Sequence, residues 1–166
     1  MTEIDIADID SITQKLMAAL KEKKIKISTA ESCTGGLISK TITDYPGSSS
    51  VFERGFVTYC NQAKIEMLGV AQELLQTKGA VSQEVAEEMA SGAVKNSHAQ
   101  IAVSCTGIAG PGGSTPEKPV GLVYIGVSYN GFTHATKHNF DGDRGSVRQQ
   151  TLYQALQIVL KTINDN

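Results

Sequence analysis

The stretch "STAESCTGG", residues 28–36, opens extended and closes on a Gly-Gly pair, with a serine, a cysteine and a threonine between. Just upstream, "KIKISTA" alternates through Ile25 and Ile27 as a strand. A helix is expected from about Thr34 to Asp44, stopping before Pro46. A strand that passes straight into a helix is the unit from which α/β folds are built. Such a junction also leaves the first N–H groups of the helix without internal partners.

The same alternation runs outward in both directions. Residues 8–24 carry Ile9, Ile12, Leu16, Ala19 and Leu20 at helical spacing. "VFERGFVTY" reads as a second strand, and Asn61 as the N-cap of a short helix over "QAKIEMLG", which Gly69 stops. "AVSQEVAEEMASGAVKNS" is a helix opened by Ser82, with Glu84 in its first turn. "AQIAVSCTG" is a buried strand. "KPVGLVYIGVSY" and "FTHATKHNF" form a hairpin turning at Asn130-Gly131. The last helix fills "DRGSVRQQTLYQALQIVLKTI". The order α-β-α-β-α-α-β-β-β-α predicts an α/β fold with helices on both faces of one sheet. The late hairpin makes that sheet mixed.

The 166 residues are expected to form one domain, 1–166, with 40% apolar and 19% charged residues. The net charge of -2 gives no footprint for nucleic acid. Lys21, Lys23, Lys24 and Lys26 are the densest basic cluster, and they read as a solvated helix end. No apolar run is long enough to span a membrane. The N-terminus "MTEIDIADID" is acidic where a signal peptide is basic, so a cytoplasmic protein is expected. Cys33, Cys60 and Cys105 lack CxxC spacing and read as small hydrophobes at strand ends.

Ser32 lies at the strand-to-helix junction. N–H groups at Thr34, Gly35 and Gly36 could hold an oxyanion there, and the glycines would let a substrate approach. Spacing alone favours a plainer reading, in which Ser32 or Thr34 caps the helix. No GxSxG elbow is present. His98, His134 and His138 read as structural or surface residues rather than as a base. Lys64, at the third helical position after an Asn61 cap, faces the positive end of the helix dipole. Neutralising a lysine near pH 7 costs roughly 4–5 kcal/mol. The dipole supplies about 1 kcal/mol, so burial or another cation must provide the rest. A neutral Lys64 could take the Ser32 proton; a solvent-exposed lysine is the alternative. Tyr59 could orient either partner, pass a proton, or fill the core as an aromatic with its hydroxyl at the rim. "CTGIAGPGGS", residues 105–114, again ends a strand in a hydroxyl, Thr106, followed by glycines that can wrap a ligand with backbone donors. Arg144 and Arg148, one turn apart at a helix start, suit a phosphate or carboxylate, or pair with Asp141 or Asp143.

"TAESCTGG", "GFVTYCNQAK", "GAVSQEVAEEMASGA", "TGIAGPGG", "KPVGLVYIGV" and "FDGDRGSVRQQ" occur in that order. Together they resemble the CinA C-terminal domain family, whose enzymes include the bacterial nicotinamide-nucleotide amidase. The family also occurs fused behind a molybdopterin-binding-like domain, and this chain resembles the stand-alone form. The resemblance implies a three-layer α/β/α sandwich with a mixed central sheet. It implies hydrolysis of the carboxamide of nicotinamide mononucleotide to the acid, with release of ammonia. The family's nucleophile maps onto Ser32 and its base onto Lys64, with Tyr59 beside them and Thr106 at the hydroxyl position of the "TGIAGP" loop. Neither a metal nor an organic cofactor is implied.

On that reading the oxyanion is held by N–H groups at Thr34, Gly35 and Gly36 and by the Thr106 hydroxyl. The 5′-phosphate is expected at the loop carrying Gly107, Gly110, Gly112 and Gly113, with Arg148 and, less directly, Arg144. Two rival readings are a non-catalytic nucleotide- or sugar-phosphate-binding module and an amidase for another small carboxamide. A homodimer is expected, two-fold closure being the commonest assembly.

Overall fold

The computed structural model describes residues 5–165; the first residues of the acidic N-terminal stretch lie outside them. Helix α1 spans Ile6–Lys23 and is opened by a capping box between Asp5 and Asp8, which satisfies two donors that a helix start leaves bare. Strand β1, Ile27–Glu31, is followed by α2, Leu37–Thr43. After a short 3-10 turn at Ser48–Ser50 come β2, Phe52–Val57, and three helices: α3, Asn61–Leu68, α4, Gln72–Lys78, and α5, Gln83–Lys95. Strands β3, Ile101–Gly107, β4, Leu122–Tyr129, and β5, Phe132–Asn139, precede α6, Arg144–Asn164.

The sheet order is β2-β1-β3-β4-β5. Strands β1, β2 and β3 run parallel, and β4 and β5 complete the sheet antiparallel. The chain moves from β1 outward to β2 and then back past β1 to β3. Right-handed crossovers place helices on opposite faces whenever the direction along the sheet reverses. So α2 covers one face together with α1 and α6, where Leu16, Ile38, Ile42, Val103, Ile125, Leu156 and their neighbours form the larger core. Helices α3, α4 and α5 cover the other face over Ala30, Phe56, Leu68, Val85, Met89 and Ala102. This is the three-layer α/β/α sandwich.

Asn130 and Gly131 both adopt positive φ, 52° and 80°. They close the β4–β5 hairpin between the paired residues Tyr129 and Phe132, as a two-residue turn requires. Helix α4 was not anticipated from the sequence. Its N-cap is Ala71, which offers no side-chain acceptor, so it lacks the usual start signal.

Helix α5 holds α3 in place through a close approach at Gly92, where a Cβ atom would come 2.1 Å from the Leu68 carbonyl oxygen. Gly92→Ala should therefore cost about 1–3 kcal/mol in urea unfolding, the usual penalty for overpacking. Gly112→Ala, which meets nothing within 4 Å, should stay within about 0.5 kcal/mol of wild type. Equal stabilities would contradict this packing.

Candidate active site

The carboxyl ends of β1 and β3 lie where the chain reverses direction along the sheet, the usual position for a ligand site in an open α/β sheet. A cleft of about 210 Å³ opens there, lined among others by Ser32, Tyr59, Asn61, Lys64, Thr106 and Arg144. Two larger hollows run along α6, one of them beside His134 and His138 on β5. Neither brings a serine or cysteine to a base. His138 stacks on Phe140 and shares a hydrogen bond with Thr136.

Ser32 is the first residue beyond β1, and its N–H extends the sheet by donating to Cys105 O at 3.1 Å. Alternation along β1 sends Ser28, Ala30 and Ser32 to the face of α3 and α5, and Thr29 and Glu31 to the face of α2. Contacts on both sides agree: Thr29 meets Ser39 on α2, while Ala30 packs in the α3–α5 core. Ser32 meets Lys64 of α3, whose Nζ donates to Ser32 Oγ at 3.0 Å and to Thr58 O at 2.8 Å. Thr58 is itself held by its N–H, which donates to Glu31 O.

Lys64 is 1% exposed. Burial pushes its pKa down, opposed only by the thiols of Cys60, Cys33 and Cys105. No carboxylate acts on it among the described residues, so the ammonium lacks a counter-charge. An amine that donates to Thr58 O and keeps its lone pair toward Ser32 is positioned to accept the hydroxyl proton.

The model of the CinA C-terminal domain matches residues 9–163. This chain belongs to that family. It is 50% identical over 156 residues to a competence-damage inducible protein of Caldicellulosiruptor saccharolyticus, covering 94% of this chain and 38% of that protein. A Clostridium perfringens protein of the same name is 51% identical over 148 residues, 89% of this chain and 35% of that one. The chain thus spans little more than a third of these relatives. Among solved structures, the competence/damage inducible protein CihA of Agrobacterium tumefaciens superposes with a TM-score of 0.91 at 45% identity, covering 95% of this chain and 96% of that one. A CinA superfamily protein of Escherichia coli gives 0.91 at 31% identity, covering 97% and 94%.

Several expectations for this CinA domain change at atomic detail. The cap of α3 is Cys60, whose sulfur accepts from Ala63 N–H, rather than Asn61. Lys64 therefore sits one position deeper in the helix, and burial, already required beside the dipole, lowers its pKa. Cys60 is exposed and capping rather than a core hydrophobe, whereas Cys33 and Cys105 are buried. A hydrogen bond to Cys105, reinforced by burial, keeps the Cys33 thiol protonated well above its ordinary value.

Helix α2 begins at Leu37, not Thr34. The N–H of Gly35 donates to Ser32 O, and that of Gly36 to Glu31 Oε2, so neither is open to a ligand. The N–H of Thr34 has no partner among the described residues. The Thr106 hydroxyl lines the cleft but donates to Ala80 O at 2.8 Å.

The two arginines take different places. Arg148 does not line the cleft; it donates to Thr34 O at 2.7 Å and braces the turn. Arg144 stands at the cleft, donating to Gly110 O at 2.9 Å and to Tyr59 Oη at 3.0 Å. Gly107 lines the cleft and Gly110 borders it through Arg144, while Gly112 and Gly113 lie outside its lining. Sequence reasoning overlooked Asn61 as a wall of the cleft, Thr58 as the acceptor for Lys64, and Glu31. An acidic residue ending a strand gives no signal that sets it apart from an exposed one.

The lowered pKa of Lys64 has a sign that can be checked. Between the lowered value and the ordinary one near 10.4, the unfolded chain holds a proton that the folded chain has released, so stability rises with pH through that window. Urea unfolding over about pH 7 to 10 should show wild type gaining on Lys64→Met as pH rises. Parallel curves would mean that burial does not penalise the ammonium.

Proposed function

We propose that this domain hydrolyses the carboxamide of nicotinamide mononucleotide to the carboxylate and ammonia through an acyl-enzyme on Ser32. The supporting observation is the buried Lys64 amine, 3.0 Å from Ser32 Oγ and without an acid partner. Ser32 Oγ attacks the amide carbon as its proton passes to Lys64 Nζ. The tetrahedral adduct collapses, Lys64 returns that proton to the departing nitrogen, and ammonia leaves. Water, deprotonated by the same amine, then attacks the ester; Ser32 departs with the proton and the acid is released.

The cleft, at about 210 Å³, lies below the roughly 300–1,000 Å³ of sites that enclose a drug-sized ligand. It suits a single ring bearing the carboxamide, with the sugar and phosphate directed outward. Arg144 is the exposed cation at that outer edge, and we assign the 5′-phosphate to it rather than to Arg148. Tyr59, whose hydroxyl accepts from Arg144, shapes the same edge. The proton transfers are given to Lys64, the group that contacts Ser32.

Purified protein should release ammonia from nicotinamide mononucleotide, measured by a coupled ammonia assay. Ser32→Ala and Lys64→Met should each lower kcat by about 10³-fold or more while remaining folded. Normal turnover in both variants would exclude the Ser-Lys mechanism. Arg144→Ala should raise KM for the nucleotide more than for nicotinamide riboside, its phosphate-free analogue. An equal rise for both would remove the phosphate assignment.

A further inference from the structure

Glu31 is fully buried, and its charge meets no cation among the described residues. Its Oε2 accepts from Thr34 Oγ1 at 2.6 Å, Gly36 N–H at 3.1 Å and Ile38 N–H at 3.0 Å. Its Oε1 accepts from Ser39 N–H at 2.8 Å and Ser39 Oγ at 2.7 Å. A buried carboxylate persists only when such donors replace its lost hydration. Three of these donors are the start of α2, which has no side-chain cap at Gly36. Glu31 therefore caps α2 from the preceding strand, across a turn that contains the nucleophile.

That arrangement sorts the backbone donors around Ser32. Gly36, Ile38 and Ser39 are satisfied by the carboxylate, and Gly35 by Ser32 O. The N–H groups of Cys33 and Thr34 donate to no other residue among the described ones; Cys33 lines the cleft, whereas Thr34 is fully buried behind it. Gly35 and Gly36 hold φ of 60° and 97°, so the segment stays a turn instead of winding into α2. We infer that Glu31 is a positioning residue: its carboxylate holds the 32–36 turn so that the N–H of Cys33, the first after the nucleophile and a residue of the cleft wall, serves the oxyanion. Glu31 touches no reacting atom. Its backbone carbonyl adds to the same task by holding Thr58, the acceptor for Lys64.

The inference rests on the acyl-enzyme reading, so its test uses a probe that does not depend on the substrate. A fluorophosphonate phosphonylates an activated serine, forming an O–P bond as the P–F bond breaks and fluoride leaves, and intact-protein mass spectrometry follows the rate. Glu31→Gln keeps the shape but places an amide donor against N–H groups that need an acceptor. It should slow Ser32 labelling by about 100-fold, the scale of a lost oxyanion donor. It should lower kcat for nicotinamide mononucleotide in step while KM moves less than about threefold. Glu31→Asp, which restores the anion, should recover part of the loss. If Glu31→Gln does not fold, Ser39→Ala carries the test: it removes the side-chain donor to Oε1 and should slow labelling about threefold or more. Labelling at the wild-type rate, or a rise in KM with kcat intact, overturns the inference. A wild type that labels but releases no ammonia from the nucleotide refutes the proposed substrate and leaves Glu31 to be judged on labelling. A wild type that releases ammonia but resists labelling leaves it to be judged on kcat against KM. A protein inert in both assays overturns both readings.

Discussion

Glu31 and Ser32 are consecutive residues, and at the end of a strand consecutive side chains leave by opposite faces. The carboxylate goes to α2 and the hydroxyl to α3, so one peptide unit couples the two helical layers of the sandwich. On one side it secures a helix start that has no cap of its own. On the other it presents an oxygen to a buried amine. Were the register of β1 to slip by one residue, both assignments would reverse and the site would vanish. The pairing of Glu31 with Val57 on one side and Cys105 on the other fixes that register.

Lys64 depends on the same architecture from the opposite direction. Helix α3 is short and carries only two buried side chains, one of them the lysine itself. Its position comes from α5, through the close approach at Gly92, and from the Thr58 peptide tied to β1. The amine is thus kept from water by elements far larger than α3.

Most of the fold was legible because its signals are local. The Asn130-Gly131 turn, the long last helix and the buried apolar run of β3 each read without help from elsewhere in the chain. What the sequence hid was nonlocal. Helix α4 is stabilised by Leu75 packing in the α3–α5 core, not by a cap. The cap of α2 is the Glu31 carboxylate and not the Thr34 hydroxyl, which itself donates to that carboxylate. Arg144 and Arg148 share a helix face, and only the fold shows that one reaches Gly110 while the other reaches Thr34. The proximity of Ser32 and Lys64, 32 residues apart, likewise belongs to the sheet topology; spacing along the chain contains no trace of it.

The two charged groups of the site differ in how they are neutralised. Glu31 is enclosed and compensated by fixed dipoles, which dissolved ions do not reach. Arg144 stands in solvent, where ions at physiological ionic strength screen it over about 8 Å. Dissolved salt therefore weakens the pull of Arg144 on any anion and leaves the hydrogen bonds that hold Glu31 and the adjoining turn untouched.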